Sequence, residues 1–97
     1  MIQHIVLFKL KNAATEKDIA EARNALIAMK GRIPEIEAIA FGPNLGPSSQ
    51  EYDHVLLVTC RDMAAVQRYL DHPVHRQTVD QIIAPIRETR LAADLEV

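Results

Sequence analysis

Four histidines, His4, His54, His72 and His75, stand in a chain of 97 residues, and their neighbours set the chemistry open to them. Tyr69, His72 and His75 fall within the seven residues Tyr69-Leu70-Asp71-His72-Pro73-Val74-His75. A histidine shielded from water and close to another is held neutral near pH 7, because desolvation and like charge both oppose protonation. Neutral imidazole can act as a general base. A phenol such as Tyr69 can donate a hydrogen bond to an oxygen where charge develops. Each residue also has a purely structural reading. His4 and His54 can be core histidines satisfied by backbone or by Asp94, Tyr69 can be core packing, and His72 before Pro73 can cap the next helix. His72 and His75 lack a clear third metal ligand. Cys60 reads as a small core hydrophobe. The chain has no Gly-rich phosphate loop, no Ser-His-Asp set and no paired carboxylates at useful spacing. Nucleotide-dependent chemistry and serine hydrolysis are therefore not expected, and neither a metal nor a cofactor is called for.

Residues 2–11 alternate as a strand, with Ile2, His4, Val6, Phe8 and Leu10 on one side and Gln3, Ile5, Leu7, Lys9 and Lys11 on the other. Thr15, with Asp18 three residues on, is a candidate N-cap. Ile19, Ala22, Leu26 and Met29 recur at helical spacing, which predicts a helix over about 15–30, stopped by Gly31 and Pro34. A weaker strand over 35–41 and a Gly- and Pro-rich loop over 42–51 follow. The strongest strand, 52–60, is apolar on both faces at its centre and should be interior to a sheet. Asp62 can cap a short helix with Val66, Tyr69 and Leu70 inward, and Pro73 suits the first turn of another helix over about 73–83. From Thr89 alternation resumes, Thr89, Leu91, Ala93, Leu95 and Val97 against Arg90, Ala92, Asp94 and Glu96.

This order predicts an α+β fold, the ferredoxin-like β-α-β-β-α-β arrangement of a four-stranded antiparallel sheet with helices on one face. The first and third strands are expected side by side at its centre, running parallel. The echo of His4-Ile5-Val6-Leu7-Phe8 in His54-Val55-Leu56-Leu57-Val58 suggests matched register, which would set His4 and His54 about 5 Å apart on the helix side. Tyr69 and His75, from the covering helices, can point into the same interior.

Helices on one face leave Ile5, Leu7, Val55 and Leu57 uncovered on the other. Each would forfeit about 1.5–3 kcal/mol relative to burial, and a patch of that kind marks an interaction surface. Its simplest occupant is a second copy packed sheet to sheet, giving a homodimeric α/β barrel. The composition, 48% hydrophobic and 25% charged, is that of an ordinary globular domain, here a single one over 1–97. With a net charge of −2 and no basic stripe, nucleic acid is not an expected partner. A lone cysteine fits a reducing cytoplasm. The run Ile5-Val6-Leu7-Phe8 is too short to span a membrane and lacks the layout of a signal peptide. The expectation is a soluble, cytoplasmic protein with no membrane partner.

Three segments together resemble the stress-responsive α/β-barrel proteins, the Dabb family: His4-Ile5-Val6-Leu7-Phe8-Lys9-Leu10, Tyr52-Asp53-His54-Val55-Leu56-Leu57-Val58-Thr59 followed by Arg61-Asp62, and Tyr69-Leu70-Asp71-His72-Pro73-Val74-His75. The likeness covers nearly the whole chain, and the Tyr-x-x-His-Pro-x-His stretch is its most specific part. It implies a ferredoxin-like fold and a homodimeric barrel. Plant members include an enzyme that closes a linear polyketide by aldol condensation. The tyrosine and second histidine of that stretch are catalytic there, and they match Tyr69 and His75. Its other pocket polar residues are similar to His4, His54, His72 and Asp94. The resemblance thus implies that His75 removes a proton beside a carbonyl, that Tyr69 supports the developing oxyanion, and that the others bind or orient. Cys60 stands where an aromatic is common, and Val79, Ile82 and Ile83 replace aromatics, so the pocket wall differs and the substrate does not carry over. Two functions follow: a cofactor-free binder or converter of a hydrophobic carbonyl compound, of cyclase or isomerase type, or a non-catalytic stress-responsive dimer with a structural or protective role.

Overall fold

Strict alternation makes β1 (Ile2–Leu10) a strand with one fully buried face, Ile2, His4, Val6, Phe8 and Leu10, and one half-buried face. The computed structural model describes residues 1–97. Helix α1 (Glu16–Ala28) opens on a complete capping box: the Thr15 hydroxyl accepts from the Asp18 N–H at 3.1 Å, and the Asp18 carboxylate accepts from the Thr15 N–H at 3.0 Å. Those Thr15 contacts hold the Asp18 carboxyl below its ordinary range. The helix tightens into a 3-10 turn, Met29–Gly31, where Met29 is buried.

The strand expected from Glu35 begins later, as β2 (Ala38–Pro43). Ile33 and Ile36 form a turn instead, the Ile36 N–H donating to the Ile33 carbonyl at 3.2 Å, and both isoleucines are buried. In the loop that follows, Asn44 donates to the Tyr52 carbonyl at 2.8 Å and accepts from the Gly46 N–H at 2.9 Å, and Pro47–Gln50 form a 3-10 turn. β3 (His54–Cys60) leads to α2 (Met63–Asp71), capped by the Asp62 carboxylate accepting from the Ala65 N–H at 2.8 Å. α3 (Pro73–Thr78) is shorter than the helix expected there, because the chain widens into a π-helical turn over Val79–Ile83 that leads into β4 (Arg87–Glu96). No helix is long and apolar enough to cross a membrane.

The sheet has the order β2-β3-β1-β4, antiparallel at every pairing. The parallel run expected for β1 and β3 is therefore corrected to antiparallel. The α1 crossover returns β2 in the direction of β1 and leaves a gap one strand wide; β3 turns back from β2 and fills it. The correction also undoes the expected pairing of His4 with His54. His4 lies opposite Val58, while His54 lies opposite Phe8, four residues down β1 and about 14 Å away along the strand.

The core lies between the sheet and its helical cover. Val6, Phe8, Leu56 and Val58 face Leu26, Val66, Tyr69 and Ile83, all buried. On the other face, Ile5, Leu7, Val55 and Leu57 are half-buried, as the strand patterns require. The register of β4 adds Leu91 and Leu95 beside them, 52% and 56% exposed.

Candidate active site

Tyr69 is presented by the inner face of α2, with Ala65 and Val66 buried one turn before it. His75 sits in α3, where the phenol and its imidazole lie 4.6 Å apart between ring centres, tilted by 58°. His4 meets the same phenol edge-on at 6.0 Å. These three side chains converge on a cavity of about 140 Å³, walled on its apolar side by Val6, Phe8, Leu26, Leu56, Val79 and Ile83.

Hydrogen bonds fix the tautomers. The His75 Nδ1 lies 2.9 Å from the Leu70 carbonyl. A carbonyl can only accept, so Nδ1 carries the proton, and the neutral ring keeps its lone pair on Nε2. Burial pushes the His75 imidazole below its ordinary value; the Leu70 carbonyl opposes this, and the neighbouring basic groups His4, Arg90 and Arg76 reinforce it. His75 is therefore neutral at pH 7, the protonation state of a base. His4 donates from Nδ1 to the Asp94 carboxylate at 2.7 Å, the partner expected from β4, and its Nε2 is likewise left bare when the ring is neutral. Burial, with a smaller contribution from Cys60, pushes the Tyr69 hydroxyl well above its ordinary value, so it is a hydrogen-bond donor and not a phenolate. No fully enclosed side-chain nitrogen or oxygen lacks a partner.

The remaining expected site residues lie elsewhere. His54 donates from Nδ1 to Asp53 at 2.8 Å and stacks on Phe41 at 5.5 Å, toward the other end of β3. Asp53 also accepts from the Leu10 N–H, at 3.3 Å to each oxygen, beyond the last β1–β3 pair. His72 caps α3, its Nδ1 accepting from the Val74 N–H at 3.1 Å. The Nδ1 atoms of His72 and His75 are thus both committed to backbone, and no three His, Cys, Asp or Glu side chains gather as a ligand set. Burial pushes the Cys60 thiol up, followed by the effect of nearby acids led by Glu35, which leaves it an unreactive core residue.

Two residues that the sequence reading passed over also line the cavity, Arg87 and Arg90. Arg90 shares the alternation that places Asp94 on this side. Arg87 has no such signal. It is three residues from Arg90 and would face away in a regular strand, but a register shift between Lys9 and Leu10 leaves Glu88 as an extra residue in β4 and turns Arg87 inward.

Residues 2–97 match the family model described as the stress responsive A/B barrel domain, Dabb. An uncharacterised protein of Streptomyces coelicolor is 31% identical over 81% of this chain and 84% of its own length. Olivetolic acid cyclase of Cannabis sativa is 25% identical over 76% of this chain and 75% of its own. The crystal structure of a dimeric ferredoxin-like protein of unknown function from Thermobifida fusca superposes with a TM-score of 0.84 at 31% identity, covering 99% of this chain and 90% of that one.

Proposed function

Taking as premise that the chain belongs to the stress-responsive A/B barrel (Dabb) family, we propose that it is a cofactor-free homodimer that binds a small hydrophobic carbonyl compound and moves a proton on it. Each copy is a single domain over residues 1–97. His75 takes a proton through Nε2 from the carbon next to the carbonyl. The electron pair moves onto the carbonyl oxygen, and Tyr69 donates a hydrogen bond to the resulting enolate. The enolate then either takes the proton back from His75 at a different, conjugated carbon, which is isomerisation, or attacks a second carbonyl carbon of the same molecule through its α-carbon. In that aldol step the new alkoxide takes the proton from His75, and the base is restored. His4, held by Asp94, packs edge-on against Tyr69 and helps position it; His54 and His72 stand outside this machinery.

The observation that carries the reading is the His75 tautomer: Nδ1 tied to the Leu70 carbonyl at 2.9 Å and the ring 4.6 Å from Tyr69, both on one cavity. At about 140 Å³ that cavity is close to the roughly 150 Å³ that accepts one benzene ring, so the substrate is of single-ring size. Support for the homodimer comes from the apolar open face and from the dimeric protein of Thermobifida fusca. The buried, unpaired Cys60 fits the cytoplasm. The test is deuterium exchange at the α-carbons of cyclohexanone in heavy water, followed by proton NMR. Exchange should exceed the buffer rate with the wild-type protein and fall to it with His75→Ala; equal rates for the two proteins would overturn the assignment of the base.

A non-catalytic stress-responsive dimer is the second reading. It is favoured by a cavity below the roughly 300–1,000 Å³ of ordinary ligand pockets, and wild-type exchange no faster than buffer would select it.

A further inference from the structure

The side of the cavity formed by β4 is lined by Arg87 and Arg90. Neither takes part in any ion pair of the chain; Asp94, on the same face of β4, is held by His4 at 2.7 Å, while Arg68 and Arg76 use Glu35 and Asp71. Burial and then the neighbouring Arg90 push the Arg87 guanidinium down, with no acid acting in the opposite sense. Two guanidinium groups, that of Arg87 half-buried and that of Arg90 exposed, therefore line one otherwise largely apolar cavity without an ion-pair partner. The arrangement is built and not incidental, because it takes the bulge at Glu88 to bring residues 87 and 90 to one face.

We propose that Arg87 and Arg90 form a carboxylate-binding subsite at the edge of the cavity, so that the substrate is a small carbonyl compound bearing a carboxylate. This rests on the proton-transfer reading of the same cavity and adds the substrate class to it. The planar guanidinium fork matches a carboxylate in two parallel hydrogen bonds. The apolar wall takes the carbon skeleton, and the carboxylate at the arginines fixes which carbon is offered to His75. The Arg90 charge also helps keep His75 unprotonated.

The test compares benzoate with benzamide, two single-ring probes of nearly equal shape that differ in charge, titrated into the labelled protein and followed by NMR shifts of His75 and Tyr69. Wild type should bind benzoate at least about tenfold more tightly than benzamide, the ratio that one charge-assisted hydrogen bond supports. The double variant Arg87→Gln/Arg90→Gln should lose that preference while still binding benzamide, and Arg87→Lys/Arg90→Lys should restore part of it. Both arginines are at least partly exposed, and the Lys variant preserves charge and length if the Gln variant folds poorly. Equal wild-type affinities, no benzoate binding at millimolar concentration, or a preference that survives the Gln substitutions would overturn the subsite. So would a Gln variant whose preference is intact but whose self-association is weakened, since the arginines would then pair across copies of the protein. Cyclohexanone exchange separates the two proposals. Exchange at the buffer rate with an intact benzoate preference removes the base chemistry alone, and normal exchange without the preference removes the subsite alone.

Discussion

Replacing Leu57 with glutamate puts a charge at the centre of the open sheet face. Leu57 lies opposite Ile5 on one side and Ala40 on the other, and it is half-buried by the chain itself. Full burial of a leucine is worth about 1.5–3 kcal/mol. With part of that already gained in the protomer, about 1–1.5 kcal/mol remains for association. A two-fold interface counts the change twice, which gives about 2–3 kcal/mol per dimer before any penalty for the carboxylate. At 1.4 kcal/mol per tenfold, the dissociation constant should rise roughly 30- to 140-fold. Sedimentation velocity across a dilution series reads this directly, and circular dichroism checks that the Leu57→Glu protomer keeps its fold. A wild-type protein that sediments as a monomer at micromolar concentration, or a variant that associates as tightly as wild type, would refute the reasoning.

Tyr69→Phe should lower α-carbon exchange by about a hundredfold or more, the usual effect of removing one oxyanion donor, while thermal unfolding stays nearly unchanged, because no hydroxyl–protein bond is lost. Burial lowers the folded-state affinity of His75 for a proton, so the unfolded chain binds that proton more readily. Its share of stability is therefore present above the ordinary value of 6.5 and is lost as pH falls below it. Unfolding temperatures measured on either side of that pH should differ less in His75→Gln than in wild type. Thr15→Ala removes one half of the capping box and should cost about 1 kcal/mol, a drop of about 4–8 °C in calorimetry for a domain of this size.

Alternation alone revealed which face of β1 and β3 turns inward, and with it the uncovered row of Ile5, Leu7, Val55 and Leu57. Asp94 was open only as one possible partner of a core His4; the β1–β4 register sets the two opposite each other, with the bond at 2.7 Å. Strand direction was not legible in this way. The likeness of the segments beginning at His4 and His54 suggested a shared register, yet a repeat of residue types carries no information on chain direction, and antiparallel pairing sends the two histidines to opposite ends. Boundaries moved where tertiary packing overrode local pattern: Ile33 and Ile36 are buried in a turn ahead of the strand, and Val79–Ile83 form a π-helical turn with Ile83 in the core. Arg87 was invisible for a related reason. Its inward direction depends on a bulge that only the pairing of β4 with Lys9 and Leu10 creates.

Everything proposed for catalysis depends on His75 presenting an unprotonated Nε2 to the cavity at neutral pH. Nitrogen-15 NMR of the histidine rings measures that state directly. The ring should be neutral at pH 7, with its proton on Nδ1 and an Nε2 signal that shifts when cyclohexanone is added. A charged ring at pH 7, or a neutral ring with its proton on Nε2, would contradict the base assignment.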